Sequence, residues 1–353
     1  MSKKVGILTD THFGVYKGSS LFLDSAMRFF REFVIPEMRS RGVDTLIHAG
    51  DMFDNRSSID IKVLNEVFRL FRDDLEDFQI YCIVGNHDTV YKNSIEVNSV
   101  ETLRGFLNVH VVSSPVMVGD IALVPWVVNK DNLWLFMRDN KPKVTVGHFE
   151  ITGGKTNSSG YDSNPDHLNP NDFDGFTKMV ISGHYHHRSV MNLPNCDIHY
   201  IGNCYHLNRG DACSDRGMVF LDVDKMQLEY VNDVNVAMRY CKLRFPDKYN
   251  KEEISGNIVD IHVDIDSEDY NEKDFGNYVS GVESCSPAVP PYVRIERTGT
   301  VTVESVDMSG AGSVIDILNE YVRCIKLDDE TRKKVTEKIK NLQIAVESKN
   351  AEN

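Results

Sequence analysis

Short apolar runs alternate with longer amphipathic stretches through the first hundred residues. VGIL at 5–8 precedes a helical pattern from Phe22 to Arg39, and TLIHAG at 45–50 precedes a second over about 59–77. IYCIVG at 80–85 then leads to a shorter helix near 98–107. Strands of this length separated by helices predict βαβ units and a parallel sheet. Pro36 falls inside the first helical pattern and predicts a kink, since proline lacks an N–H and crowds the preceding turn. Apolar runs at 109–112, 121–124, 144–147, 179–182, 198–201 and 217–223 read as further strands.

After about residue 235 the texture changes. VDIHVDID at 259–266 alternates, a helical stretch follows near 271–280, and PPYVRIER at 290–297 closes what reads as a small α+β unit. SVDMSGAGS at 305–313 is Ser/Gly-rich and reads as a linker. Two helical patterns follow over 314–348, with Asp328 or Asp329 placed to cap the second. Too little sequence accompanies these helices to cover both faces, so they call for a partner surface. The basic run RKKVTEKIK at 332–340 reads as a solvated helix face rather than a DNA contact.

Composition narrows the class. The chain has 353 residues, 41% of them hydrophobic and 26% charged, which is enough to build a sizeable core. The opening apolar run is broken by Asp10 and His12 before an export signal can form, and no stretch reaches the roughly 18 apolar residues of a membrane span. A cytoplasmic protein without membrane association is therefore expected. The seven cysteines are scattered without C-x-x-C spacing, which predicts reduced thiols and no zinc ribbon. A net charge of −14 counts against a broadly basic nucleic-acid surface. Divalent cations at carboxylates, a local basic patch or a partner would offset that objection.

Five motifs stand at the ends of predicted strands: ILTDTHFG with Asp10 and His12, HAGDMFD with Asp51, VGNHD with Asn86, His87 and Asp88, VGHFE with His148, and SGHYHH with His184 and His186. Carboxyl ends of parallel strands converge on one crevice, so residues far apart in sequence can meet there. Singly, each motif is ordinary turn chemistry. Together they place carboxylate, amide oxygen and imidazole donors after five strands, a donor set suited to Mn²⁺ or a similar ion rather than to a thiolate site.

In this order the motifs D-x-H, G-D, G-N-H-D, G-H and G-H-x-H resemble those of the calcineurin-like metallophosphoesterases. TDTHFG, GDMFDNRSS, IVGNHD, VPW at 124–126 and YIGNCYHLNRGD to DRGMVFLD at 200–222 resemble more narrowly the SbcD nucleases, in particular the phage recombination endonuclease subunits. The resemblance implies an α/β fold: a four-layer α-β-β-α metallophosphoesterase sandwich over 1–234, a small α+β capping domain for DNA over 235–304, the linker 305–313, and a helical ATPase-docking segment over 314–348. It implies two Mn²⁺ ions, with Mg²⁺ as the alternative, one held by Asp10, His12, Asp51 and His186 and the other by Asp51, Asn86, His148 and His184. His87 would face the scissile phosphate, with Asp88 orienting it.

By the same resemblance the partners are DNA and an SbcC-type coiled-coil ATPase, in an assembly with two copies of each subunit whose nuclease domains pair as a homodimer through the helices near 59–77 and 98–107. The setting would be host cytoplasm for a phage-encoded chain. Asp54 departs from the pattern, since many cellular relatives carry a second catalytic histidine there. His187 reads as a surface or supporting residue, His48 as structural, Trp126 as core and Trp134 as helix-face packing. A phosphatase or cyclic-nucleotide phosphodiesterase shares the same metal motifs. A DNA-end-binding scaffold with vestigial activity is the reading from another class.

Overall fold

Apolar runs become strands here because both of their faces are covered, as in parallel sheets generally. The computed structural model describes residues 4–156, 160–297, 322 and 332–340. In chain order the strands are β1 (Lys4–Leu8), β2 (Thr45–His48), β3 (Gln79–Ile83), β4 (Thr89–Tyr91), β5 (Ser94–Asn98), β6 (Val109–Val112), β7 (Val116–Val118) and β8 (Ile121–Val124). They continue with β9 (Val144–His148), β10 (Met179–Gly183), β11 (Ser189–Asn192), β12 (Asp197–Tyr200), β13 (Arg216–Asp222), β14 (Gln227–Asp233), β15 (Tyr240–Arg244), β16 (Ile258–Asp264) and β17 (Tyr292–Glu296).

Two six-stranded sheets result, in the orders β14-β13-β1-β2-β3-β6 and β11-β12-β10-β9-β8-β7. Strands β1, β2, β3 and β6 run parallel, as do β8, β9, β10 and β12. Alternation along each strand sorts side chains into layers. Val5, Ile7, Ile47 and Ile83 of the first sheet pack with Leu123, Val146 and Ile181 of the second, while Leu8, Leu46 and Ile80 join the helices outside the first sheet. Ala122, Val124, Val180 and Ile198 meet Leu133 and Met137 of the helix Lys130–Asn140 on the far side. The expected four-layer α-β-β-α sandwich is thus present.

The first helical pattern folds as Ser20–Phe29, a widened turn at Phe30–Val34, and Ile35–Ser40. No break occurs at Pro36. The Ile35 N–H bonds the Phe30 carbonyl five residues back, and this wider turn accommodates the proline ring. The second helix, Ile61–Arg69, starts where the Asp60 carboxylate accepts the Lys62 and Val63 amides at 2.8 and 3.3 Å. The helix expected near 98–107 is shorter, a single tight turn Ser99–Leu103 capped by Asn98.

The chain divides into two compact units, Met1–Ile261 with Gly276–Val293, and His262–Phe275 with Arg294–Asn353. Beyond the sandwich lie a three-stranded sheet, β15-β16-β17, and the helix Glu272–Glu283. The expected linker at 305–313 lies outside the described residues, as does the segment 314–348 apart from Val322 and the helical residues 332–340. In that helix Lys333, Lys338 and Lys340 are exposed. Among the described residues no helix is long and apolar enough to cross a membrane.

Candidate metal centre

The loops following β1, β2 and β3 and the ends of β9 and β10 meet at one end of the two sheets. Backbone bonds extend the β1–β2 pairing past the strands: the amides of Asp10, His12 and Phe13 donate to the carbonyls of Gly50, Asp51 and Met52 at 3.0, 3.1 and 2.8 Å. Asp10, His12, Asp51 and His184 all adopt left-handed φ, between 43° and 87°, a costly backbone for non-glycine residues that concentrates at functional sites. Gly85 permits the close approach of the loops, because a Cβ there would lie 2.2 Å from the Asp51 amide nitrogen. Gly50, at φ 102°, has no room for one either, since it would lie 2.4 Å from the His148 ring.

Two groups of donor atoms form, Asp10 with His12 and His186, and Asp51 with His148 and His184, each within 4.8 Å. In the first, Asp10 Oδ1 stands 3.8 Å from His12 Nε2 and 3.7 Å from His186 Nε2. In the second, Asp51 Oδ2 is 3.2 Å from His148 Nε2, and Asn86 Oδ1 is 3.0 Å from both His148 Nε2 and His184 Nδ1. Asp51 Oδ2 also lies 3.7 Å from His12 Nε2, which makes this carboxylate the link between the groups.

Divalent ions fit these residues. Among the described residues His12 Nε2 is buried without a hydrogen-bond partner, and its distances to the Asp10 and Asp51 carboxylates, 3.8 and 3.7 Å, are too long for hydrogen bonds yet natural for ligands around a shared ion. The Asn86 oxygen is informative as well. His184 Nε2 faces Glu150 at 3.5 Å, so in a neutral His184 ring the Nδ1 turned to Asn86 is a lone pair facing a lone pair, and His148, with Nδ1 on the Ala49 carbonyl at 2.9 Å, adds another once its Nε2 proton leaves. A cation among them resolves that conflict.

Burial works against charge on His148, but the Asp51 and Asp10 carboxylates outweigh it and hold the ring up at about 9. At neutral pH an incoming ion must displace that proton, so metal affinity is expected to weaken as pH falls. Calorimetric titration in buffers of different ionisation heat checks this. A binding enthalpy that does not depend on the buffer would contradict it.

His87 lies outside both groups. Its amide donates to Asp51 Oδ1 at 2.8 Å, its Nδ1 pairs with the Asp54 carbonyl oxygen at 3.0 Å, and its ring stands edge-on to His12 at 4.8 Å. Asp88 does not orient it. The buried Asp88 carboxylate instead accepts the amides of Met52, Phe53 and Gly85 at 3.3, 3.0 and 2.9 Å, clamping the Asp51 loop to the Asn86 loop. Asp54 places Oδ1 3.5 Å from His12 Nδ1 and forms, with His12 and His87, a third group of donor atoms. His48 is buried on the Thr11 hydroxyl at 2.9 Å, and burial pushes it down to about 3.

Trp126 is half-buried rather than in the core, with its ring 5.3 Å from His184, whereas Trp134 packs on Phe173 and Phe176 at 5.0 and 5.8 Å. Sequence reasoning passed over Glu150, Asp162 and His167, which stand behind His184. The acidic residue two positions after His148 was the available signal.

The sequence matches the calcineurin-like phosphoesterase family over residues 3–188. It is 27% identical over 299 residues to exonuclease subunit 1 of Enterobacteria phage T4, covering 81% of this chain and 83% of that protein. It is 30% identical over 158 residues to the DNA double-strand break repair protein Mre11 of Methanosarcina mazei, covering 43% of this chain but only 23% of that protein. Among solved structures, an archaeal phosphodiesterase aligns with 15% identity and a TM-score of 0.35, covering 65% of this chain and 99% of that one. With a family match spanning more than half its length, the chain belongs to the calcineurin-like phosphoesterases.

Proposed function

We propose that the protein is a two-metal DNA nuclease subunit using Mn²⁺, with Mg²⁺ as a substitute, in DNA end processing, recombination and repair. The observation that carries this reading is the Asp51 carboxylate shared between two ligand groups, 3.7 Å from His12 and 3.2 Å from His148. One ion is assigned to Asp10, His12, Asp51 and His186, the other to Asp51, Asn86, His148 and His184. Held by these residues, two such ions would supply a clamp for a phosphodiester and a bound water of lowered pKa. The names of the T4 exonuclease subunit and the Mre11 repair protein favour DNA as the substrate.

His87 serves as the general acid or charge stabiliser at the phosphate. Its Nδ1 is engaged by the Asp54 carbonyl, which leaves the other ring nitrogen for substrate. His87→Ala is expected to retain metal and DNA binding and to lose about 10²–10⁴ in rate. Near-normal turnover would remove the assignment.

Residues 235–304 are proposed to help admit DNA, and the segment 314–348, whose sequence has helical periodicity, to dock an SbcC-type ATPase. The nuclease domains pair through the helices near 59–77 and 98–107, where Ile61 and Leu107 are exposed apolar side chains at 76% and 101%. The deciding assay uses linear duplex and single-stranded circular DNA, with Mn²⁺ or Mg²⁺, with and without the ATPase. Metal-dependent DNA hydrolysis is expected. Turnover of phosphate monoesters or cyclic nucleotides with DNA left intact would overturn the reading.

A further inference from the structure

We infer that Glu150 is a positioning residue for His184, holding its ring with Nδ1 turned to the second metal site, and that His167 and Asp162 hold Glu150 in turn. This rests on the ligand assignment just proposed. His184 presents one ring nitrogen to each side: Nδ1 lies 3.0 Å from Asn86 Oδ1, and Nε2 lies 3.5 Å from Glu150 Oε1. The other carboxylate oxygen of Glu150 is 3.1 Å from His167 Nε2. His167 Nδ1 is in short contact with the Asp162 carboxylate, which also accepts the Tyr185 hydroxyl at 2.6 Å. Tyr185 follows His184 in the chain, so the contacts close into a ring that begins and ends beside the ligand.

The chemistry of this ring is directional. A carboxylate only accepts, so Glu150 draws the proton of His184 to Nε2 and leaves a lone pair at Nδ1, the arrangement a metal needs. His148 achieves the same result differently, by donating Nδ1–H to the Ala49 carbonyl at 2.9 Å and leaving Nε2 free. The two histidines of one site are thus fixed through opposite nitrogens. Glu150 and His184 are only part-buried, with side chains 34% and 15% exposed, so their pairing adds little to folding and its use lies in orientation.

The same contacts explain how residues 152–156 and 160–168 pack together. Gly154 packs so closely on the Tyr185 ring that a Cβ would lie 2.3 Å from it, and the Gly154 carbonyl accepts the Asp162 amide at 2.8 Å. This backbone brings Asp162 and His167 behind Glu150, although neither belongs to a motif of the family pattern.

The test is a Mn²⁺ titration of the full-length protein and its Glu150→Ala, His167→Ala and His148→Ala variants, followed by electron paramagnetic resonance, with metal-free thermal melts of each. Glu150→Ala should weaken one ion by about 10–100-fold and leave the other and the metal-free melt unchanged. His167→Ala should weaken the same ion less. His148→Ala, which removes a ligand, should lose that ion altogether. If Glu150→Ala binds both ions as the parent does while His148→Ala loses one, the positioning role is wrong and the ligand assignment stands. If His148→Ala retains both ions, the ligand assignment itself fails. Equal weakening of both ions with a lowered metal-free melt would make Glu150 a structural residue and also overturn the inference.

Discussion

Asp51→Ala is expected to abolish binding at both metal sites and reduce phosphodiester hydrolysis to background, a larger loss than any other single ligand change would cause. In the proposed assignment Asp10, His12 and His186 belong only to the first site, and Asn86, His148 and His184 only to the second. Asp51 alone has an oxygen within 3.7 Å of His12 and 3.2 Å of His148, while its Oδ1 takes the His87 amide at 2.8 Å. Removing it therefore separates the two ions and frees the loop carrying the residue assigned to the phosphate. Burial disfavours charge on Asp51, yet His148 and His12 hold its carboxyl well below the usual carboxylate range, so the group is an anion ready for ions before they arrive. Asp51→Asn separates loss of charge from loss of shape: the amide oxygen still accepts from His87, but the shared anion is gone. Both variants should show no specific Mn²⁺ uptake by calorimetry. Two undiminished sites in either would refute the bridging role.

The parallel strands were legible because burial on both faces writes them as unbroken apolar runs, such as VGIL and TLIHAG. The apolar edge strand at 109–112 was too, but the polar edge strands were not. The Gln227–Asp233 and Ser189–Asn192 strands alternate polar and apolar residues at sheet margins, and Thr89–Tyr91 pairs with Ser94–Asn98 as a short polar hairpin. At the site, the residues that gather there and their order were readable from the strand ends. The left-handed backbone at Asp10, His12, Asp51 and His184 was not, because only the surrounding loops impose it. The orienting role that the resemblance implies for Asp88 is not what the structure shows, since its carboxylate accepts three backbone amides and the Ser99 hydroxyl. Glu150, Asp162 and His167 stayed hidden because Glu150 meets His184, and His167 and Asp162 meet Glu150 and Tyr185, only in the folded chain.

Asp211→Ala is expected to cost about 3–5 kcal/mol of stability, the scale for removing one partner of a buried ion pair. Arg216 and Asp211 are 3% and 1% exposed and meet at 2.8 Å, within the NRGD and DRG segments whose likeness to the nucleases carried no role of its own. Asp211 does more than neutralise the arginine. Its other oxygen accepts the amides of Leu207 and Asn208 at 2.8 and 3.0 Å and the Asn203 side chain at 3.0 Å, so it organises the turn from 203 to 211. That turn carries Tyr205, whose hydroxyl donates to the Thr11 carbonyl between Asp10 and His12, the residues assigned to the first ion. The variant should therefore melt earlier and bind the first ion more weakly, although Asp211 touches no ligand. Burial raises its carboxyl, but Arg216 and the turn amides together bring it below the ordinary range. Its contribution is thus present above the usual carboxylate pKa and lost as pH falls below it, so parent and variant should converge in acid. The double variant Asp211→Ala, Arg216→Leu should recover part of the loss by removing the stranded cation, while the freed amides of Leu207 and Asn208 keep it below the parent. Thermal melts of the three proteins at neutral and acid pH test this, and a double variant no more stable than Asp211→Ala would show that the turn, rather than the ion pair, dominates.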